Sequence, residues 1–135
     1  MKKRRILLVL VLLPLLTAPV HQKGRLAHGR VFPKSVTEIE VRPGELFSLY
    51  WRLGVVPGMD HRPVQPLADP GVLAYVGADP IPGDPEYLGD GGELYLVFKS
   101  RGRGTTELTV VNCAWCDGDI RDSYGERDTY RITVR

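Results

Sequence analysis

At 135 residues, with 18 basic and 16 acidic side chains, three histidines and two cysteines, the chain suits one domain with a modest core. Lys and Arg are interleaved with Asp and Glu and form no basic stripe, which excludes a nucleic-acid surface of the usual kind. The formal charge of +2 comes from the first residues: four basic side chains sit there, leaving 14 basic against 16 acidic, or about −2, for the remainder.

Lys2, Lys3, Arg4 and Arg5 open the chain, an apolar stretch runs from Ile6 to Leu16, and Thr17 and Ala18 follow. This order predicts a secretory signal over residues 1–20, and hence a secreted, periplasmic or cell-envelope protein with no membrane contact beyond that segment. The apolar stretch is short for a transmembrane helix. Residues 21–35, HQKGRLAHGRVFPKS, lack sustained periodicity and are expected to form a flexible tether, with one folded domain over 36–135.

From there on, runs of period two alternate with turn signals. SVTEIEV alternates and RPG turns the chain. ELFSLYWRL places Phe47, Leu49, Trp51 and Leu53 on one face, as a half-buried strand requires, and marks Trp51 as core. GVLAYVG follows the Asp69–Pro70 turn. GELYLVFKS and TTELTVVN, joined by the glycine-containing RGRG, are expected to form a hairpin, and DTYRITVR is the sixth strand. No stretch after residue 22 has a helical period, and 11 Pro with 15 Gly at short intervals would break one. The pattern predicts an all-β, antiparallel sandwich or barrel. Three long irregular stretches, GVVPGMDHRPVQPLADP, ADPIPGDPEYLGDGG and CAWCDGDIRDSYGERD, are the functional candidates, because long loops in a compact domain are usually kept for use.

Catalytic chemistry is sparse. His61 is the only histidine of the expected domain, and none of Ser35, Ser48, Ser100 or Ser123 stands in a Gly-x-Ser-x-Gly turn, so no enzyme is expected and no cofactor or metal is implied. DGDIRDSYGERD fails as a calcium loop, since Arg121 takes a ligand position and no glycine follows it. Cys113 and Cys116 admit three readings. A thiol oxidoreductase wants its first cysteine at a helix N-terminus, and this pair follows a strand; a zinc site wants four ligands, and beside one Cys-x-x-Cys stand only His61, Asp117 and Asp119. In an exported chain the third reading is a small disulfide that stiffens a loop.

From about Val36 to Arg135 the chain resembles the chagasin-like cysteine peptidase inhibitors, which are immunoglobulin-like β-sandwiches. The resemblance is carried by LADPGVLAYVGADPIPGDPEYLGDGGELYLVFKSRGRGTTELTVVNCAW, similar to the family's Asp-Pro-x-Val-Leu strand, Gly-x-Gly-Gly loop, Phe-Lys strand ending, Gly-Thr-Thr-x-Leu-Thr run and Arg-Pro-Trp loop. It implies an exported, non-enzymatic and monomeric inhibitor that fills the active-site cleft of a papain-like cysteine peptidase with three loops from one end of the sandwich. Pro57, Gly58 and Met59 would belong to the first loop, where the family's Asn-Pro-Thr-Thr-Gly-Tyr is largely replaced and His61 stands for a common tryptophan. Gly89, Asp90, Gly91 and Gly92 match the second loop fully. Ala114 and Trp115 fall in the third, with Cys113-Ala114 in place of Arg-Pro, and a Cys113–Cys116 bridge would restore the stiffness lost with the proline. Met59 and Trp115 would be the apolar anchors. The alternative is a non-inhibitory envelope binding or structural module on the same fold, which the altered first loop favours.

Overall fold

A computed structural model of the chain describes residues 25–54, 59–114 and 125–135; the expected signal, residues 1–20, lies outside them. Eight strands follow in order: β1 (Arg30–Pro33), β2 (Glu38–Val41), β3 (Leu46–Arg52), β4 (Met59–Pro63), β5 (Leu73–Ile81), β6 (Glu93–Ser100), β7 (Gly104–Ala114) and β8 (Gly125–Val134). No described residue is helical. Two four-stranded sheets result, ordered β1-β3-β6-β5 and β2-β8-β7-β4.

Alternation decides which side chains meet between the sheets. Phe47, Leu49 and Trp51 of β3 and Leu94, Leu96 and Phe98 of β6 turn inward from one sheet. They meet Ile39, Val41, Leu108, Val110, Tyr130 and Ile132 from the other, all at most 2% exposed. Each large apolar side chain so buried contributes about 1.5–3 kcal/mol from removal of its surface from water. Trp51 is core, as its strand position predicts.

Three expectations need correction. The sandwich is mixed, not purely antiparallel: β3–β6, β5–β6, β4–β7 and β7–β8 pair antiparallel, whereas β1 lies parallel to β3 and β2 parallel to β8. In both parallel pairs the chain visits the other sheet before returning, which supplies the long connection that such pairs require. The hairpin is absent as well, because β6 already has β3 and β5 on its two edges and β7 must join the other sheet. Finally, the fold begins inside the expected tether. Arg30–Pro33 form β1, His28 Nε2 lies 2.6 Å from Asp79 Oδ2, and the His28 ring stacks on Tyr95 at 3.7 Å. The Ser48 hydroxyl, on the outer side of β3 yet fully buried, donates to the His28 carbonyl.

Candidate functional site

Strand register brings the bases of the three candidate loops to one pole. Arg52, the last residue of β3, pairs with Glu93, the first of β6, and Ile81 at the end of β5 pairs with that same Glu93. In the other sheet Met59, which starts β4, pairs with Ala114, which ends β7, and Cys113 pairs with Gly125 at the start of β8. Only residues 55–58 separate Gly54 from Met59, a connection that reaches at most about 18 Å. The two sheets are also joined here by the Trp51 and His61 rings, stacked 5.2 Å apart.

The second loop is built from backbone and one carboxylate. Leu53 N donates to the Gly92 carbonyl at 2.9 Å, tying the end of β3 to this loop. A Cβ on Gly91 would stand 2.1 Å from the Gly54 carbonyl oxygen, and one on Gly92, at φ +86°, would stand 2.0 Å from that of Ile81. Only glycine permits both approaches. Asp90 closes the loop: its Oδ2 accepts from Asp84 N and its Oδ1 from Gly92 N, each at 3.0 Å. These two backbone donors hold its carboxyl below the usual carboxylate range. Between the staples, Tyr87 is 70% exposed and Leu88 fully so, a pair of large apolar side chains presented to solvent.

Of the residues assigned from sequence, Gly91 and Gly92 thus lie against the root of the first loop, Asp90 and Gly89 belong to the closed loop behind them, and the backbones of Met59 and Ala114 lie opposite one another. Pro57, Gly58, Trp115 and Cys116 fall outside the described residues. Cys113 is buried on the outer face of β7 with Val111 and Val64, and no described cysteine is free. Among the described residues no cluster of His, Cys, Asp and Glu could hold a metal ion.

Sequence reasoning placed His61 in a loop and overlooked Tyr87, Leu88 and Asn112. His61 instead belongs to β4, directly opposite Asn112. Burial holds its imidazole pKa below the ordinary value, with Asp60, Asp128 and Glu126 pulling more weakly upward. One signal was present in the sequence: Asn112 shares the inward parity of Leu108 and Val110, an odd place for an amide.

No protein-family model matches the sequence, and no curated protein matches it. Among solved structures, the cysteine protease inhibitor EhICP2 from Entamoeba histolytica aligns with a TM-score of 0.57 at 11% identity, covering 78% of this chain and 94% of its own. The fold is chagasin-like. Leishmania mexicana ICP aligns at 20% identity over 87% of this chain and 96% of its own, with a TM-score of 0.49. Amebosin aligns at 12% identity over 81% and 100%, with a TM-score of 0.44. On this chagasin-like sandwich the glycine loop occupies the β5–β6 connection, beside the β3–β4 and β7–β8 connections.

Proposed function

We propose that the protein is an exported, non-enzymatic inhibitor of papain-like cysteine peptidases. It would act as a monomer and insert the pole formed by the β3–β4, β5–β6 and β7–β8 connections into the target's active-site cleft. The reading is carried by one observation: the roots of all three connections converge, with Gly91 packed on Gly54 and Met59 set beside Ala114. The likeness of the fold to a cysteine protease inhibitor supports it.

Such a wedge needs shape and rigidity and no reactive group. A loop that covers a catalytic cysteine without offering a well-placed scissile bond blocks by exclusion, while its neighbours supply the anchoring area. The Asp90 staple fixes the second loop before any partner arrives, which lowers the ordering cost on binding. A Cys113–Cys116 bridge would do the same for the third. Leu88 and Tyr87, already exposed, would serve as apolar anchors in addition to Met59 and Trp115.

Titration of active papain with the purified protein, oxidised and reduced in parallel, tests the reading. Stoichiometric loss of activity at micromolar protein is expected, stronger in the oxidised form, and Leu88→Asp should weaken it about tenfold or more, as loss of one apolar anchor does. Full papain activity at micromolar inhibitor discards the proposal in favour of a non-inhibitory binding module.

A further inference from the structure

Beneath the loop pole lies a feature that blocking a cleft does not use. Three buried side-chain atoms among the described residues have no hydrogen-bond partner: Trp51 Nε1, His61 Nδ1 and Asn112 Oδ1. All three residues line a single half-open cavity of about 230 Å³, which Lys34, Arg52, Leu53 and Gly54 also border. Buried polar atoms in folded proteins are nearly always paired, and an unpaired one costs free energy. Three in one place identify a common missing partner.

The sequence assembles this trio through two periodicities and one register. Asn112 faces inward by the alternation of β7, His61 is its direct cross-strand neighbour on β4, and Trp51 reaches the imidazole from β3 by stacking. Their chemistry is complementary to one functional group. The indole N–H can only donate and the Asn112 oxygen can only accept. Burial disfavours the charged imidazolium, and in the tautomer that carries its proton on Nε2 the orphaned Nδ1 accepts. A partner that satisfies all three atoms must therefore offer one acceptor and two donors, and Lys34 and Arg52 at the border disfavour a cation. A primary carboxamide does so: its carbonyl receives the indole N–H and its two N–H bonds point to Asn112 and His61. A carboxylate has no donor for Asn112, and an ammonium has no acceptor for the indole. Water has the right valence too, and the cavity has room for several, so the amide would bind by displacing water. Residues 55–58 and 115–124, the neighbouring loops in sequence, contain no Asn or Gln, so they bring no such side chain.

We propose that this cavity is a recognition site for a primary carboxamide, brought either by a small amide or by an Asn or Gln side chain of a partner protein. The site is independent of peptidase inhibition and stands or falls separately from it.

The test follows the indole N–H resonance of Trp51 in ¹⁵N-labelled protein, assigned through Trp51→Phe, during titration with acetamide, acetone and acetate. A saturable shift with acetamide, at least about tenfold weaker with acetone and acetate, is expected, as one lost hydrogen bond to a buried polar partner predicts. Asn112→Leu should weaken acetamide binding about tenfold; His61→Phe, which keeps a ring on Trp51, should do the same and covers the case in which the Leu variant fails to fold. N-acetylglutamine methylamide and its glutamate counterpart separate the sources. Tighter binding of the glutamine compound than of acetamide assigns a partner's side chain, and weaker binding assigns a small amide. Equal shifts from acetone and acetamide, no saturation, or unchanged affinity in both variants overturns the proposal.

Discussion

The two poles of the sandwich solve the same problem in opposite ways. At the pole away from the candidate loops, Ser100, 1% exposed, accepts from Glu45 N at 2.9 Å through its hydroxyl oxygen and donates to the Arg42 carbonyl. Around it, Gly44 N and Ser100 N donate to the Ser100 and Glu45 carbonyls, Glu45 Oε2 accepts from Arg42 N at 2.7 Å, and Arg30 Nη2 lies 2.9 Å from Glu45 Oε1. Polar groups entering this end find partners within the chain. At the loop pole the reverse holds for Trp51, His61 and Asn112, although Asp90 stitches the glycine loop itself and Gly91 packs that loop on Gly54. The first end is organised for stability, the second for something from outside. Natural proteins concentrate such local costs where they bind.

The comparison can be broken from either end. Ser100→Val removes the hydroxyl's bonds to Glu45 N and the Arg42 carbonyl, which keep only their 3.2 Å bond to each other, and urea unfolding should show a loss of about 1–3 kcal/mol. If the loss is under about 0.5 kcal/mol, the stitching is not what holds that end. Gly91→Ala drives a methyl against the Gly54 carbonyl and should cost about 2 kcal/mol while separating the first two loops. It should also weaken papain inhibition, whereas Ser100→Val, once folded, should leave inhibition unchanged.

His61→Phe sharpens the contrast, because it removes an orphaned atom and keeps the ring on Trp51. Stability at neutral pH should hold or rise by up to about 1 kcal/mol. The sign of the pH effect follows from burial. The folded protein binds a proton at His61 less readily than the unfolded chain does, so stability should fall as pH drops below the ordinary histidine value of about 6.5. Asp60, Asp128 and Glu126 reduce this effect and Lys34 adds to it. Thermal unfolding between about pH 7 and pH 5 should show a His61-dependent slope in the wild type that is absent from the Phe variant. The smallest effect belongs to Glu40→Gln on the exposed Arg135 pair, 2.6 Å apart, where no measurable change in the unfolding midpoint is expected at physiological salt.

Much of the architecture was legible in the pattern of residues, though unevenly. β3, β6, β7 and β8 alternate over long runs, and their inward residues are the core. β1 and β4 escaped notice because they have only four and five residues and RVFP and MDHRP show no clean alternation. They form because longer neighbours offer free edges, which is a property of the assembled sheet. The glycine loop was readable as a motif, since Gly89 to Gly92 stand together in the chain. That Asp90 spends both carboxylate oxygens inside the loop, leaving Tyr87 and Leu88 as its exposed apolar surface, was not.

Local periodicity alone determined that the described part of this chain is built from strands, where its main core residues lie, and which connections are long enough to be used, because side-chain alternation is a property of neighbouring residues. Which strands pair, in which direction, and which side chains from distant segments meet were decided by the tertiary structure. His61, Asn112 and Trp51 lie on three strands of two sheets, and only the stacking of those sheets puts an imidazole, an amide and an indole around one cavity.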